Sequence, residues 1–243
     1  MKIALVTGAA GGLGKKICEA LALKGFGIVA VDLLKTEDLK VNLKYINGNL
    51  KKVIGGVDFA NPESVISSLH EFLPNKNWTV LVNNAGISVG GKLLDSTLDQ
   101  WNLMMNVNLT SPFVLSQAFV QNSKENNIKG SIINISSMVG IIGAKKPGYA
   151  ASKAGLIGLT KSVAMQSGPN IRCNAIYPGA MDTPLTADWD EETRNKIVAT
   201  TPIGRIADPG EIAKIVAFLA DDNESGFLTG TILNATGGQY LGQ

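Results

Sequence analysis

The sequence predicts a three-layer α/β/α fold built on a doubly wound parallel sheet of about seven strands. Short runs of β-branched residues alternate with long helical patterns along the whole chain, which is typical of βαβ units. The runs 80–82 and 132–135 are almost continuously apolar, as expected of strands that are buried on both faces. The chain has 243 residues without a linker-like or repetitive segment, so we predict one domain, 1–243.

The element boundaries follow from the same patterns. We predict strands at 2–6, 27–32, 52–57, 78–82, 130–135, 171–176 and 231–234. We predict helices near 12–24, 62–73, 99–126, 148–167 and 209–220, with a short helix near 189–198. The stretch 183–201 is interrupted by prolines and an acidic run, which favours a mobile substrate lid over a core element.

Composition excludes several classes of protein. The 22 Lys+Arg and 20 Asp+Glu residues give a net charge of +2, too small for a nucleic-acid binder. No apolar run approaches the roughly 18 residues of a membrane span, and Gly8 comes too early for a signal peptide. Two cysteines and one histidine predict neither a disulfide scaffold nor a metal centre. We therefore expect a cytoplasmic protein without metal, membrane or nucleic-acid partners.

A glycine loop follows the first strand. Residues 7–14 read T-G-x-x-x-G-x-G, with the glycines at Gly8, Gly12 and Gly14, and a helical pattern begins there. Glycine lets the backbone approach a pyrophosphate, and the start of the helix presents free N–H groups and a positive dipole end. The loop, including Leu13, is therefore predicted to bind a dinucleotide.

Two acidic residues end the next predicted strands. Asp32 lies eighteen residues after Gly14, where a carboxylate can accept hydrogen bonds from a ribose with a free 2′-hydroxyl. This position favours NAD as the cofactor, with NADP less favoured. Asp58 could bond the adenine amino group, although it could instead cap a helix.

A tyrosine and a lysine share one face of a predicted helix. Tyr149 and Lys153 are four residues apart, and a strand ending in the hydroxyls of Ser136 and Ser137 precedes them by twelve residues. The end of a strand in a doubly wound sheet is where ligands bind.

With these motifs, the chain resembles the classical short-chain dehydrogenases/reductases over nearly its whole length. The resemblance extends to Asn-Asn-Ala-Gly at 83–86, Asn-Val-Asn-Leu at 106–109, Pro-Gly at 178–179 and Pro-Ile-Gly-Arg at 202–205. It implies a Rossmann fold and hydride transfer between a nicotinamide cofactor and a secondary alcohol or ketone. It also implies a homotetramer, with a dimer as the alternative.

The resemblance assigns roles to particular residues. Tyr149 would be the general acid/base, Ser137 would orient the substrate oxygen, Lys153 would tune Tyr149 and bind ribose, and Asn108 would hold a relay water. Further cofactor contacts would come from Asn84, Ala85, Gly86, Gly179 and Thr183, besides Tyr149 and Lys153.

Electrostatics independently supports a tyrosine base. A phenol with a pKa of ~10 must lose about 3 pKa units to act near neutrality, which costs about 4 kcal/mol. An ammonium group about 4 Å away, at an effective dielectric of ~20, supplies about as much. We therefore expect Lys153 to lower the pKa of Tyr149, with a further contribution from the positive nicotinamide ring of the oxidised cofactor.

Two positions depart from the family pattern. Ser137 is one residue nearer to Tyr149 than usual, whereas Ser136 has the usual interval; Ser137 is preferred because residues 137–140 match the family's Ser-x-x-Gly. Thr236 stands where Asp usually precedes two glycines, a site that concerns packing of the C-terminus.

Two other functions compete with an NAD(H)-linked oxidoreductase. One is a 3-oxoacyl carrier-protein reductase, which would use NADPH and basic residues near the pocket. Asp32 disfavours the 2′-phosphate of NADPH, and Lys129, before the fifth strand, is the only cation that we expect near the pocket. Lys145 and Lys146 are expected to be solvated. The other is a regulatory protein that binds cofactor without chemistry, against which the intact catalytic set argues. The substrate pocket should draw on Ile87, Ser88, Val139, Tyr149, Gly179, Ala180 and the lid, where Trp189 is a candidate contact.

Overall fold

One parallel sheet of seven strands forms the centre of the molecule. The computed structural model describes residues 1–46 and 48–242. Its strands are β1 (Ile3–Thr7), β2 (Gly27–Val31), β3 (Leu50–Ile54), β4 (Trp78–Asn83), β5 (Gly130–Ile135), β6 (Ile171–Pro178) and β7 (Ile232–Ala235). They lie in the order β3-β2-β1-β4-β5-β6-β7, and each neighbouring pair is parallel. The predicted doubly wound sheet of seven strands is confirmed.

Helices connect the strands and cover both faces of the sheet. They are α1 (Gly12–Leu23), α2 (Thr36–Asn42), α3 (Pro62–Leu69), α4 (Leu98–Met105), α5 (Ser111–Asn126), α6 (Val139–Ile142), α7 (Pro147–Ser167), α8 (Glu191–Thr200), α9 (Pro209–Ala220) and α10 (Asp222–Ser225). No helix of the described residues is both long enough and apolar enough to cross a bilayer.

Three short helices and one irregular turn depart from the predicted boundaries. Helices α2, α6 and α10 have seven, four and four residues, too few to give a clear helical period. The predicted helix 99–126 is divided by a π-helical turn at Asn106–Thr110, which separates α4 from α5. π-turns inside α-helices are frequent at functional sites.

Two hydrophobic clusters hold the layers together. Helices α1 and α9 pack one cluster against the sheet, with Ile17 and Val216 fully buried. Helices α3 and α5 pack the other, with Leu69 and Phe119 buried. Cys18 lies in the first cluster and Cys173 in the second, as predicted for core cysteines.

The strand order reverses at β1, which lies between β2 and β4. The Thr7 hydroxyl at the end of β1 accepts hydrogen bonds from the backbone N–H groups of Asn84 and Ala85, both at 3.0 Å. The two loops that leave these strands are thereby fixed together. A crevice at the carboxyl ends of the strands, at such a reversal, is where doubly wound proteins bind ligands.

Candidate active site

The glycine loop joins β1 to an uncapped helix. Gly11 precedes α1 without a capping side chain, and the first turn of α1 contains no acidic residue. The first N–H groups of α1 are therefore suited to an anionic ligand. Gly8 has a φ of +63°, and a Cβ there would lie 2.8 Å from the Cα of Ala85, so only glycine fits this turn.

A cleft of about 350 Å³ opens beside the loop. It is lined by twelve of the thirteen residues predicted to contact the cofactor: Gly8, Gly12, Leu13, Gly14, Asp32, Asp58, Asn84, Ala85, Gly86, Tyr149, Lys153 and Thr183. The sequence assigned no role to Leu33, Phe59 and Met181, which also line it. These three residues lie outside the motifs and reach the cleft only through the fold, whereas Val107 belongs to the motif at 106–109 and Pro184 to the predicted lid.

The Asp32 carboxylate is held at the edge of the cleft by two backbone donors. Its Oδ2 accepts from the N–H of Ala10 at 2.8 Å, and its Oδ1 accepts from the N–H of Leu34 at 3.1 Å. Each carboxylate oxygen has a further lone pair for a ligand hydroxyl. The contact with Ala10 also ties the carboxylate to the glycine loop.

The Asp58 side chain does not cap the helix that follows it. It is exposed, and its Oδ1 accepts from the N–H of Ala60 at 2.9 Å, whereas Asn61 caps α3 by accepting from the N–H of Ser64. The helix-capping alternative for Asp58 is therefore wrong, and Asp58 faces the cleft.

The Asn84 side chain links the two loops. Its Nδ2 donates to the carbonyl oxygens of Thr7 at 2.9 Å and Gly8 at 3.1 Å. Both amide hydrogens are thereby used to hold the glycine loop against β4. Asn84 thus shapes the floor of the cleft, and its amide oxygen is the atom left for a ligand.

The residues present fit a nicotinamide dinucleotide. A Cβ on Gly86 would lie 3.2 Å from Lys153 Nζ and 3.3 Å from Asn108 Oδ1, so the lack of a side chain keeps the space beside these polar atoms open. The uncapped start of α1 suits phosphates, and the Asp32 carboxylate suits ribose hydroxyls. The cleft is thus open at Gly86, electropositive at α1 and acidic at Asp32.

A second cavity of about 410 Å³ meets the cleft. The two share the residues Ser136, Tyr149, Met181, Thr183 and Leu185. The second cavity is otherwise lined by Ser88, Ser137, Met138, Val139, Lys146, Pro178, Gly179, Ala180, Thr186, Trp189, Ile197 and Gln239. Gly179 therefore lies in this second cavity and not in the nucleotide cleft, whereas Ile87, expected in the substrate pocket, lines the cleft.

The Tyr149 side chain lies at the boundary between the two cavities. Burial raises the pKa of its phenol, and a hydrogen-bonding interaction with the Ser137 side chain partly opposes that rise. Without coenzyme, the pKa of Tyr149 therefore lies above its usual value, because desolvation of the phenolate is the largest effect.

The Lys153 ammonium group is buried beneath Tyr149. Its Nζ donates to the carbonyl oxygen of Ile135 at 2.8 Å and lies 5.9 Å from the centre of the Tyr149 ring. Burial lowers the pKa of Lys153 from its usual 10.5 to about 8. A lysine with this pKa is only partly charged near pH 8, which limits how far it can acidify the phenol.

The two adjacent serines have different surroundings. The Ser136 hydroxyl is buried and donates to the carbonyl oxygen of Lys153 at 2.8 Å, which ties the end of β5 to α7. Ser137 is only half-buried and lines the second cavity with Tyr149. This difference supports Ser137 as the serine that meets substrate.

The Asn108 side chain lies behind the cleft, on the π-helical turn. It is fully buried; its Nδ2 donates to Ile87 O at 2.9 Å and Ser152 Oγ at 3.0 Å, and its Oδ1 accepts from the N–H of Ile87 at 2.9 Å. Asn108 thus holds the loop that borders the cleft.

Two expectations about lysines are wrong. Lys129 immediately precedes β5, whereas the candidate active site follows the other end of that strand, about 20 Å away at ~3.3 Å per residue. Lys146 is not a solvated residue: it is half-buried, lines the second cavity, and donates from Nζ to the carbonyl oxygen of Ser88 at 3.1 Å.

The Thr236 side chain holds the C-terminal turn together. It is buried, and its hydroxyl donates to Asn234 Oδ1 at 2.7 Å and accepts from the N–H of Tyr240 at 3.3 Å. Its backbone lies 3.1 Å from where a Cβ on Gly179 would be, so the turn packs against the wall of the second cavity.

The burial of Lys153 predicts that the difference in stability between the wild type and a Lys153→Met variant depends on pH. Below pH 8 the lysine is charged in both the folded and unfolded chains, so the full cost of burying it, about 3 kcal/mol, is present. Between pH 8 and 10.5 the folded chain loses this proton before the unfolded chain does. The free energy of unfolding of the wild type should therefore rise across this window relative to that of Lys153→Met.

Denaturant unfolding at pH 7 to 10.5 measures this difference, and Lys161→Met is the matched control because Lys161 is an exposed lysine on the same helix. Comparison of variants cancels the titration of other buried groups, such as Cys18, whose pKa burial raises to about 12. If the free energies of unfolding of the wild type and Lys153→Met changed with pH in parallel, the lowered pKa of Lys153 would be contradicted.

Comparison with known proteins identifies the family. Residues 8–239 match a family model described as enoyl-(acyl carrier protein) reductase. The chain is 37% identical over 243 residues to the 3-oxoacyl-[acyl-carrier-protein] reductase FabG of Vibrio cholerae, covering 99% of this chain and 98% of that protein. The chain belongs to the classical short-chain dehydrogenase/reductase family, as the sequence motifs predicted.

Solved structures define the class of cofactor. A 4-hydroxyisoleucine dehydrogenase complexed with NADH matches with a TM-score of 0.89 and 31% identity, covering 100% of both chains. A structure described as that of a 2-deoxy-D-gluconate 3-dehydrogenase from Agrobacterium tumefaciens, with bound NADP, also matches with a TM-score of 0.89 and 31% identity, covering 98% of this chain and 96% of that one. The protein is an NAD(P)-dependent oxidoreductase that acts on hydroxyl and keto groups.

Proposed function

We propose that this protein prefers NAD(H) as coenzyme and interconverts a small secondary alcohol and its ketone, with Tyr149 as general acid/base. The observation that carries this proposal is the position of Tyr149, which lines both the nucleotide cleft and the second cavity. A substrate oxygen in the second cavity and a coenzyme in the cleft would meet at this phenol.

Tyr149 moves the proton and Ser137 orients the substrate. In oxidation, the Tyr149 phenolate oxygen accepts the proton of the substrate hydroxyl; in reduction, the phenol donates a proton to the carbonyl oxygen. The Ser137 hydroxyl lies in the same cavity and interacts with Tyr149, so it can bond the substrate oxygen at the same time. When bound, the nicotinamide coenzyme supplies or accepts the hydride.

Lys153 and Asn108 support the site from behind. The hydrogen bond from Lys153 Nζ to Ile135 O uses one of three donors, and the other two can serve a ribose hydroxyl and the proton relay. Asn108 holds the backbone of Ile87 at the border of the cleft and can hold a relay water through the second lone pair of its Oδ1.

Residues 183–201 act as the lid over the second cavity. A single 3₁₀ turn, Pro184–Thr186, and helix α8 form most of this segment. Leu185, Trp189 and Ile197 line the cavity from it, which supports substrate contact by Trp189. Most of the segment is exposed on its other side, as a lid requires.

The function is tested by a screen of diverse secondary alcohols with NAD and of ketones with NADH and NADPH. Turnover is measured as the change in absorbance of the reduced nicotinamide. Tyr149→Phe serves as the background control. Turnover well above this background with at least one compound is expected. Wild-type rates equal to those of Tyr149→Phe throughout the screen would remove the proposal.

A 3-oxoacyl carrier-protein reductase is the second candidate, favoured by the identity of 37% to the reductase from Vibrio cholerae. The Asp32 carboxylate, at the place where NADPH would carry a phosphate, argues against it. Position argues against it too, because Lys129 lies at the wrong end of β5 to receive an acidic carrier. Reduction of a 3-oxoacyl thioester on its carrier protein, compared with the free thioester, separates the two candidates.

Assembly into a homotetramer in the cytoplasm completes the proposal. Leu98 on α4, Phe113 on α5 and Met165 on α7 expose 72%, 45% and 87% of their surface, which suits helix pairing between copies. Both cysteines are free, as a reducing compartment allows. Light scattering should give four times the chain mass of 25.5 kDa, or twice that mass for the dimer.

Met165→Glu should reduce the assembled mass, because it places a charge within the paired helices. Leu23→Glu is the matched control, since Leu23 is 84% exposed but lies on α1. A single 25.5 kDa species at micromolar concentration would defeat the assembly proposal.

A further inference from the structure

The second cavity contains one cation. Lys146 is the only charged side chain among the described residues that line it; the walls combine apolar side chains, such as Met181, Leu185 and Trp189, with neutral polar side chains. A neutral, purely hydrophobic substrate would leave this charge without a role in binding. We infer that Lys146 binds a carboxylate of the substrate, so that the preferred substrates are small hydroxy acids and their oxo acids.

The Lys146 side chain is held by a backbone contact but is not neutralised. Its Nζ donates to the carbonyl oxygen of Ser88 at 3.1 Å, and an ammonium group has three donors, so two donors are left for a ligand. Within residues 1–46 and 48–242, no acidic side chain forms an ion pair with Lys146. Arg194 of the lid differs from Lys146, because its guanidinium group forms an ion pair with Asp182 at 3.3 Å.

The position of Lys146 places its charge near the reacting centre. Lys146 is the extended residue that immediately precedes α7, and Tyr149 lies three residues later, in the first turn of that helix. Both line the same cavity. A substrate whose hydroxyl meets Tyr149 can therefore present a carboxylate to Lys146 in the same molecule.

The inference rests on the proposed function and narrows its substrate class. Charge-assisted hydrogen bonds are about twice as strong as neutral ones, and a partly buried ammonium favours an anion over its neutral analogue. We expect kcat/KM for an oxo acid to exceed that for its methyl ester by about 10- to 100-fold.

The test uses 3-oxobutanoate, 4-oxopentanoate and 4-oxocyclohexanecarboxylate, each paired with its methyl ester. Wild type, Lys146→Met and Lys146→Arg are compared with Lys145→Met, the matched control, because Lys145 is an exposed neighbour that lines neither cavity. Lys146→Met should lower kcat/KM for the acid much more than for the ester, and so lose the preference for the acid. Lys146→Arg and Lys145→Met should keep the preference.

A binding measurement makes the test independent of turnover. Each acid should raise the thermal midpoint of the wild type more than its ester does, and Lys146→Met should abolish that difference. Equal response to acid and ester in the wild type, or an acid preference that survives in Lys146→Met, overturns the inference. A Lys146→Met variant that loses acid and ester activity equally also overturns it, since the lysine would then only hold the Ser88 loop.

The two proposals fail in different ways. If no acid or ester is turned over with NADH or NADPH but another compound of the wider screen is, the proposed function survives and the assignment of Lys146 fails. If no compound of the wider screen is turned over, the proposed function fails, and the thermal measurement alone decides on Lys146. If the wild type turns over each ester with the same kcat/KM as its acid, the proposed function survives and the assignment of Lys146 fails.

Discussion

Replacing Tyr149 with phenylalanine is expected to lower kcat by about 10²- to 10⁴-fold, the usual contribution of a positioned acid/base group. The ring fills the boundary between the two cavities in both proteins, so only the proton-transferring hydroxyl is lost. Coenzyme affinity, measured by the change in NADH fluorescence, should therefore stay within a few-fold of the wild type. A fall in kcat with unchanged coenzyme binding is the signature of a group used only in the chemical step.

Tyr45→Phe is the matched control for this substitution. Tyr45 is an exposed tyrosine whose hydroxyl donates to the carbonyl oxygen of Lys15, and it lines neither cavity. It should retain full activity. A Tyr149→Phe variant with more than about a tenth of wild-type activity would be incompatible with the expected acid/base contribution.

The second large effect concerns the choice of coenzyme. We expect kcat/KM with NAD(H) to exceed that with NADP(H) by about 10²-fold, or about 2.7 kcal/mol. The Asp32 carboxylate is fixed by Ala10 and Leu34, so it cannot easily turn away from a 2′-phosphate. Two unit charges about 5 Å apart at an effective dielectric of ~20 repel by about 3 kcal/mol, which solvent at this edge reduces.

Asp32→Ala should bring the ratio of coenzymes close to one, mainly by loss of NAD affinity. Because this variant also frees the N–H of Ala10, Asp32→Asn is a second arm that removes the charge but keeps an amide of the same shape. Asp38→Asn, an exposed acid on α2, should leave the ratio unchanged. Equal or better turnover with NADP(H) in the wild type would refute the NAD assignment and favour the carrier-protein reductase.

The sequence predicted the frame of the site because its signals are local. The glycines at 8, 12 and 14 must follow a strand and begin a helix, and the apolar runs at 80–82 and 132–135 fit only a sheet covered on both faces. Tyr149 and Lys153 lie one turn apart on any helix. These features depend on few residues, so they survive without knowledge of the tertiary structure.

The errors concern properties that the tertiary structure decides. The sequence does not show where the Lys129 and Lys146 side chains lie in space: Lys129 is at the far end of β5 from the site, and Lys146 lines a cavity. Burial raises the pKa of Tyr149 in the chain without coenzyme, and no spacing in the sequence reveals that burial. The π-helical turn that carries Asn108 has no recognisable period in the sequence.

The start of the lid touches both ligand spaces at once. Thr183 and Leu185 border the nucleotide cleft and the second cavity, and a Cβ on Gly12 would lie 2.8 Å from Cδ of Pro184, so this turn packs directly on the start of α1. A coenzyme in the cleft and a substrate in the second cavity would both contact this turn. We therefore expect their affinities to be thermodynamically linked, so that each ligand changes the Kd of the other by one common factor, typically about 5- to 150-fold in coupled sites.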